Sequence, residues 1–192
     1  MRGSVFVLAL ALVVAGCGSG RARVVVTAAG RIGPLHVDRS DRADVIAFAG
    51  KPESETHGRY SSYPAFDALG YGCKGKQATG LDGVPRCETV FYLDSRSGAL
   101  ALLYTEDARY EFRRVGVGVS TASAERLLAQ KVTVGCLAAL GVETKTGFVV
   151  LTFGGGNIIR SHPRLGLAGG QVDALVVHSK RLSPGVLDCI DG

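Results

Sequence analysis

The stretch Thr89-Val90-Phe91-Tyr92-Leu93, a polar turn over residues 94–98 and the run Ala99-Leu100-Ala101-Leu102-Leu103-Tyr104-Thr105 set the architecture of this chain. Both runs are rich in aromatic, aliphatic and β-branched side chains, and Gly98 closes the turn between them. This pattern predicts a β-hairpin. We expect residues 109–115, which follow closely, to pair with the hairpin as a third strand.

Two segments on either side of the hairpin carry the signals of short helices. Residues 40–52 begin with a Ser-Asp pair and end in Gly-Lys-Pro. Residues 120–130 begin with a Ser-Thr pair and carry an apolar Leu-Leu pair. Ser, Thr and Asp cap helix N-termini, whereas Gly and Pro end helices. The predicted caps are Ser40 or Asp41 for the first helix and Ser120 or Thr121 for the second.

Further apolar, β-branched runs predict strands at residues 23–29, 147–153 and 172–179. Residues 53–86 are polar and Gly-rich, so we expect a long loop with one strand near residues 59–63. The Gly-rich stretch before residue 172 is expected to hold a short strand at residues 157–160. Helices and antiparallel strands together predict an α+β fold.

The chain also contains a faint internal repeat. Ile32-Gly33-Pro34-Leu35-His36-Val37 precedes the first helix, and the similar Val115-Gly116-Val117-Gly118-Val119 precedes the second. Ser97-Gly98-Ala99-Leu100 likewise resembles Gly169-Gly170-Gln171-Val172. We therefore expect two tandem, weakly similar modules, residues 31–114 and 115–192, each a short helix packed on antiparallel strands. A chance likeness between two α+β halves is the alternative.

The N-terminus has the three parts of an export signal. Arg2 supplies a positive charge, an apolar run covers residues 5–15, and small residues precede Cys17. The run is shorter than the roughly 20 residues that cross a bilayer as a helix. Residues 1–16 are therefore predicted to be a signal peptide, and residues 17–30 to form a tether and the first strand.

The end of this signal, Val14-Ala15-Gly16-Cys17, resembles the lipobox of bacterial lipoproteins. In that family the cysteine thiol receives a diacylglycerol, the signal is cut before the cysteine, and the new amine is often acylated. The resemblance implies an exported protein whose lipid on Cys17 anchors it to the extracytoplasmic face of the cell membrane or to the outer membrane. An ordinary secretory signal with a chance cysteine is the alternative.

Four cysteines remain besides Cys17. An even number in an exported chain predicts disulfides. Of the three possible pairings we favour Cys73 with Cys87, which bracket a Gly-rich loop, and Cys136 with Cys189, which fixes the C-terminal tail. The spacings Cys-x-x-Cys and His-x3-His are absent from the sequence, so a structural zinc site is not predicted.

Without residues 1–16 the chain has 21 basic and 17 acidic residues, because Arg2 is lost, and its net charge is about +4. Basic residues are scattered, and pairs of them lie close together at Arg21-Arg23, Arg113-Arg114 and Lys180-Arg181. This mild excess suits solubility and contact with anionic lipid headgroups. Nucleic acid is not expected as a partner outside the membrane.

Motifs for catalysis are weak. Gly70-Tyr71-Gly72-Cys73-Lys74-Gly75 spells G-x-G-x-x-G, but neither a preceding strand nor a following helix is predicted, so we interpret it as turns of the disulfide loop. Gly154-Gly155-Gly156-Asn157 lacks the Lys-Ser/Thr pair of a phosphate loop and is interpreted as a turn. Glu106-Asp107 are interpreted as solvated turn residues.

The sequence also lacks the G-x-S-x-G nucleophile motif. The four histidines are far apart, at His36, His57, His162 and His178. A triad built from distant residues stays open. We predict no catalytic residue, no bound metal and no cofactor.

The segment from Ile32 to Pro52, with Ile-Gly-Pro-Leu, polar residues, a short helix and Gly-Lys-Pro, has a second resemblance. It is similar to the opening of small bacterial envelope lipoproteins, among them the small lipoprotein subunit of the outer-membrane assembly machinery. It is also similar to the repeats of the beta-lactamase inhibitor protein fold. The resemblance implies a helix-plus-antiparallel-sheet module used for protein contact, without an active site.

Two hypotheses for function follow from these patterns. The first is a lipid-anchored envelope protein that acts as a protein-interaction or structural module, with an unknown envelope protein as its partner. All six tyrosines lie between residues 60 and 110, which suits an interface or, alternatively, packing. The second is a lipid-anchored small-ligand-binding protein or hydrolase, whose pocket we expect near residues 53–86 or 154–171.

Overall fold

The computed structural model describes residues 22–58, 65–73, 87–134, 138–153 and 170–182. Two sheets, mainly antiparallel, pack with two short helices in this part of the chain. The predicted α+β class is therefore confirmed. Neither helix of the described residues is long and apolar enough to cross a membrane.

The strands are, in chain order, β1 (Val24–Val26), β2 (Arg31–Ile32), β3 (Leu35–His36), β4 (Ser54–Gly58), β5 (Phe66–Cys73), β6 (Cys87–Asp94), β7 (Leu100–Thr105), β8 (Tyr110–Phe112), β9 (Val115–Gly116), β10 (Thr133–Val134), β11 (Ala138–Glu143), β12 (Gly147–Phe153) and β13 (Val172–Ser179). The helices are α1 (Arg42–Ala49), between β3 and β4, and α2 (Thr121–Leu128), between β9 and β10.

The large sheet has the strand order β10-β11-β12-β13-β7-β6-β5-β4, and each neighbouring pair is antiparallel. The predicted hairpin forms β6 and β7 at its middle. The strands predicted at residues 147–153 and 172–179 form β12 and β13 with those same bounds. β13 pairs with β7, with Leu175 opposite Thr105. The strand groups β4–β7 and β10–β13 therefore meet at the centre of the sheet.

The small sheet has the order β3-β2-β1-β8-β9. The strand predicted at residues 23–29 forms its middle strand, β1, which pairs in parallel with β8. The expectation that residues 109–115 extend the hairpin is therefore wrong. The chain turns after β7, where the Tyr110 amide donates to the Asp107 carbonyl at 3.1 Å. The edge of β7 at which residues 109–115 were expected to pair is occupied by β13.

The expectation of a loop over residues 53–86 is also wrong in its described parts. β4 pairs with β5 along its whole length. β4 is an edge strand whose alternate residues Glu55 and His57 are exposed, so it lacks the apolar pattern that predicts a strand. The strands expected near residues 59–63 and 157–160 lie outside the described residues.

Both predicted helices are confirmed, and each is capped by a side chain. Asp41 caps α1 in a capping box with Asp44, so each carboxylate accepts a backbone amide of the other residue. Ser120 caps α2. The residues that end the helices have positive φ angles, 88° at Gly50 and 52° at Ala129.

The segments that lead into the helices bind the large sheet in the same way. The Asp38 amide donates to the Leu100 carbonyl at 2.8 Å, and the Leu100 amide donates back to the same segment at 2.7 Å. The Gly118 amide donates to the Val172 carbonyl at 2.8 Å, and the Val172 amide donates back at 2.8 Å. Leu100 and Val172 begin β7 and β13. Each helix therefore starts beside the first residue of a central strand.

The main core lies between the large sheet, the small sheet and the helices. Val45 of α1 and Ala124 of α2 are both 0 % exposed in it. The large sheet contributes Phe91 to this core, whereas its neighbour Val90 packs in a second buried cluster. Successive strand residues point to opposite faces. The large sheet therefore buries apolar side chains on both faces.

Candidate functional site

A cleft of about 450 Å³ lies between the hairpin β2–β3 and α1. Its lining residues are Pro34, Leu35, His36, Arg39, Ser40, Asp44, Ala47 and Phe48. Apolar carbons from both elements therefore surround a few polar groups. This size and mixture are typical of small-molecule sites. Its lining residues all belong to the range 34–48, whereas the sequence predicted a pocket near residues 53–86 or 154–171, large parts of which are outside the described residues.

The hairpin turn and the helix cap together shape this cleft. Gly33 has φ 57°, and a Cβ there would lie 3.3 Å from the Phe48 ring. The Ser40 amide donates to the His36 carbonyl at 2.9 Å, and the Ser40 hydroxyl accepts from the His36 amide at 3.1 Å. Arg39 makes no ion pair with an acidic residue of the described chain. Its exposed guanidinium is therefore available to an anionic ligand group.

A second polar group lies where α1 faces the edge of the large sheet. One Arg42 guanidinium nitrogen donates to both Glu55 oxygens at 2.7 Å, and this bonding raises the pKa of Arg42. On the paired strands β4 and β5, His57 Nδ1 lies 2.6 Å from Asp67 Oδ1. A carboxylate orients a histidine base in this way in catalytic triads. Within the described residues, however, no hydroxyl or thiol is hydrogen-bonded to the His57 ring.

The disulfide between Cys73 and Cys87 joins β5 to β6, where these residues are directly opposite each other. This predicted pairing is confirmed. Gly70 lies beneath the bridge, because a Cβ there would be 2.6 Å from Cys87 Sγ. The Glu53 carboxylate accepts from the amides of Gly72 at 3.1 Å and Cys73 at 2.8 Å. The first residues of the G-x-G-x-x-G motif are therefore part of a strand, and its interpretation as turns is wrong there.

Two buried aromatic groups have shifted pKa values. His178 is 2 % exposed and stacks on Phe148 with ring centroids 5.1 Å apart. Burial lowers the pKa of His178, which favours the neutral ring. Burial also raises the pKa of Tyr110 to about 12. These groups are packed in the fold, and neither lines the cleft.

The fold brings together two of the three basic pairs noted in the sequence. Val26 of β1 is opposite Phe112 of β8, so the turn Arg113-Arg114 lies beside the end of β1. Two residues after β1, the Ala28 carbonyl accepts from the Lys145 amide at 3.2 Å. The Lys180 amide donates to the Thr146 carbonyl at 3.1 Å. The pairs at 113–114 and 180–181 thus lie at one end of the molecule.

Other residues from the sequence patterns have ordinary packing roles. Asp107 is 7 % exposed and forms an ion pair with Arg109, so its interpretation as a solvated turn residue is wrong. Tyr110 is buried, and Tyr71, Tyr92 and Tyr104 are half-buried, which favours packing over an open interface. The remaining candidates lie outside the described residues: Cys17, Tyr60, Tyr63, Cys136, His162, Cys189 and the segment 154–157.

Neither the cleft nor the polar group at the sheet edge was predicted from the sequence. Glu55 and Asp67 belong to strands that the composition did not predict, and the cleft depends on how a hairpin turn meets a helix. Among the described residues, His, Cys, Asp and Glu side chains do not form a group of three that could hold a metal ion. Comparison with protein-family models, curated proteins and solved structures found no match to this chain.

Proposed function

We propose that the chain is a lipid-anchored protein of the bacterial cell envelope that acts as a protein-interaction or structural module. In this proposal residues 1–16 are a signal peptide, and Cys17 carries the lipid. The observation that carries the proposal is the disulfide Cys73–Cys87, which joins two neighbouring strands of the large sheet. Structural disulfides persist in oxidising compartments outside the cytoplasm. An export signal and a disulfide therefore point to the same side of the membrane.

The anchor is tested by mass spectrometry of the full chain after export in a bacterium. We expect a mature chain that begins at Cys17 and carries the mass of the acyl groups. Its mass should also be lower than that of the reduced chain by two hydrogens for each disulfide. Cys17→Ser should abolish the acyl mass and membrane attachment. Cys87→Ser is the matched control, since it also removes one thiol but should keep the acyl mass. A mature chain with a free Cys17, or with another first residue, would contradict the anchor.

We further propose that the described domain consists of two tandem modules. The same order of hairpin, helix and four strands occurs twice, in β2–β7 and in β8–β13. The paired hydrogen bonds at Leu100 and Val172 support this equivalence. A boundary at residues 114/115 falls within the turn of hairpin β8–β9, so we place the second module's start at Tyr110.

The partner surface is proposed to include the exposed apolar side chains of the modules. Val25 is 50 % exposed on the small sheet, and Leu127 is 43 % exposed on α2. A photo-cross-linking residue at either position in intact cells should give a discrete protein adduct, whereas one at exposed Lys51 should not. Absence of an adduct at both positions, together with an unaltered envelope after gene deletion, would contradict an interaction role.

The cleft favours a second function, the binding of a small ligand with an anionic group. Ala43 and Ala47 are exposed alanines one turn apart on α1, and only Ala47 lines the cleft. In a ligand-observed NMR screen of anionic fragments, Ala47→Trp should abolish the binding of hits that Ala43→Trp retains. Hits that survive both substitutions bind elsewhere and would contradict this function. The same screen with Arg39→Gln tests the charge requirement.

A further inference from the structure

Six basic residues form a surface that we call the basic end. They are Arg31, Arg113, Arg114, Lys145, Lys180 and Arg181. The Thr27 amide donates to the Arg31 carbonyl at 2.9 Å, which places Arg31 in the same turn region as Ala28. Lys145 and the turn Arg113-Arg114 lie beside this region through the contacts described above. Four segments distant in sequence therefore contribute positive charge to one end of the fold.

The charge of the basic end is only partly compensated. Glu143 accepts from Lys180 at 2.9 Å, and Asp38 lies 3.8 Å from Arg181. Arg31, Arg113, Arg114 and Lys145 make no ion pair with a described acidic residue. Elsewhere, acidic neighbours neutralise four basic residues: Arg23, Arg42, Arg109 and Lys131. Of the eight described Lys and Arg residues without a described acidic partner, four therefore lie at the basic end, and the other four are Arg39, Lys51, Arg96 and Arg126.

The turn at the basic end holds its arginines in a costly conformation. Arg113 and Arg114 have φ angles of 51° and 69°, a left-handed pair that usually requires Asn and Gly. Both side chains are exposed at the hairpin tip. The Arg113 guanidinium lies 5.1 Å from the Phe112 ring centroid, which orients it beside the sheet. Backbone strain of this kind concentrates at binding sites and switches.

We propose that the basic end binds the anionic headgroups of the membrane to which the protein is anchored. This inference rests on the proposed lipid on Cys17. Val24 is the seventh residue after Cys17, so the tether spans at most about 24 Å. The hairpin tip lies beside the other end of β1, which is only about 7 Å long. The tether therefore allows the basic end and the lipid to reach one bilayer together.

Membrane contact is tested with the intact lipidated protein in two kinds of vesicle, phosphatidylcholine alone and phosphatidylcholine with phosphatidylglycerol. An amine-acetylating reagent labels exposed lysines, and mass spectrometry gives the rate at each residue. We expect phosphatidylglycerol to slow the labelling of Lys145 several-fold, but not that of Lys51, and 0.5 M salt to abolish the difference, because salt screens such contacts. Equal rates at Lys145 in both vesicles would overturn the inference.

A double variant separates the headgroup contact from burial by other causes. Arg113→Asn with Arg114→Gly suits the turn but removes two charges, so the equilibrium constant for headgroup contact should fall roughly 30-fold if each charge contributes fully, and the several-fold protection of Lys145 should be lost. Lys51→Gln with Arg126→Gln removes the same charge elsewhere and should keep the protection. Protection unchanged in the first variant would overturn the assignment to these arginines.

Three further outcomes identify the source of any failure. If free inorganic phosphate protected Lys145 as well as phosphatidylglycerol vesicles do, the basic end would bind a soluble anion, and the proposed contact with a membrane surface would be overturned. Protection in native envelope membranes but not in pure lipid would overturn it in favour of an acidic protein. If the acyl mass were absent from the same sample, both the proposed anchor and this inference would be overturned. If the protein were acylated but Lys145 were labelled at equal rates in both kinds of vesicle, the inference alone would be overturned.

Discussion

Residues 31–50 and 110–129 use different side chains to follow a similar backbone path. Each region has a hairpin, a residue with positive φ, a capped two-turn helix and a helix end with positive φ. The paired positions with positive φ are Gly33 and Arg113, Asp38 and Gly118, and Gly50 and Ala129. In each pair, one region has glycine and the other does not.

The difference shows that glycine is not what determines these conformations. Asp38 and Gly118 both donate their amides at 2.8 Å to the first residue of a central strand. This shared hydrogen bond holds both residues at positive φ, although only glycine adopts a positive φ angle without cost. The surrounding sheet therefore stabilises the conformation, and the residue type adjusts the cost.

The largest test of the comparison truncates the side chains of Leu100 and Val172, whose backbone carbonyls accept those bonds. Leu100→Ala should lower the free energy of unfolding by about 2–5 kcal/mol, because Leu100 is 0 % exposed. Val172→Ala should cost about 1 kcal/mol less, since one methylene fewer is lost. Urea unfolding measures both. Leu127→Ala, at a 43 % exposed site, is the control expected within about 0.5 kcal/mol of the original chain. A loss from Leu100→Ala as small as that of the control would show that Leu100 and Val172 are not equivalent positions.

The next test exchanges the hairpin turns. Gly33→Arg should destabilise the fold by about 2 kcal/mol, because a side chain at φ 57° is strained and its Cβ would approach the Phe48 ring to 3.3 Å. Arg113→Asn with Arg114→Gly should stabilise it by about 1 kcal/mol, since these residues suit a left-handed pair. Thermal unfolding gives the sign of each change. Destabilisation by Arg113→Asn with Arg114→Gly would refute the account of strain at the Arg113-Arg114 turn.

A smaller effect is expected at the helix caps. Asp41→Ala and Ser120→Ala should each cost about 1 kcal/mol in the free energy of unfolding. The larger loss is expected at Asp41, because its carboxylate accepts from the Asp44 amide at 3.0 Å, whereas the Ser120 hydroxyl accepts from the Ser123 amide at 3.4 Å. Asp41→Asn and Ser120→Thr keep a capping oxygen and are the matched controls. Equal losses from Asp41→Asn and Asp41→Ala would show that the cap itself contributes nothing.

The smallest effect is a pH dependence confined to the second region. Lys131 and the Val132 amide bond the Glu125 carboxylate and lower its pKa from 4.5. A carboxylate with a lowered folded pKa stabilises the fold above its unfolded pKa, and this contribution is lost as pH falls through the folded value. Amide exchange at Val132 should therefore accelerate below about pH 4.5. Glu125→Gln should make that exchange rate independent of pH in this range, after correction for intrinsic exchange.

Local signals predicted the elements whose side chains alternate or cap in the usual way. The helices, the hairpin β6–β7 and strands β12 and β13 all belong to this group. β4 and β5 were missed because one is polar at the sheet edge and the other contains Gly70 and Gly72. The same glycines are required where the backbone passes under the disulfide and beside Glu88. Composition alone does not separate such a strand from a loop.

Long-range pairing explains the other differences between prediction and structure. Residues 109–115 have strand character, but only the position of β1 and β13 decides which sheet they join. The basic end likewise depends on contacts among the turns near residues 28, 113, 146 and 180. The sequence revealed the basic pairs themselves, and the topology revealed that two of them are neighbours.

The disulfide between β5 and β6 has a practical consequence for handling the protein. A protease that cuts the chain between Cys73 and Cys87 leaves the two fragments covalently joined. Such nicked protein migrates as an intact chain on a non-reducing gel and separates into two bands only after reduction. Purity judged without a reducing agent would therefore overlook cleavage in this interval, and the predicted bridge Cys136–Cys189 would conceal cleavage between those two residues in the same way.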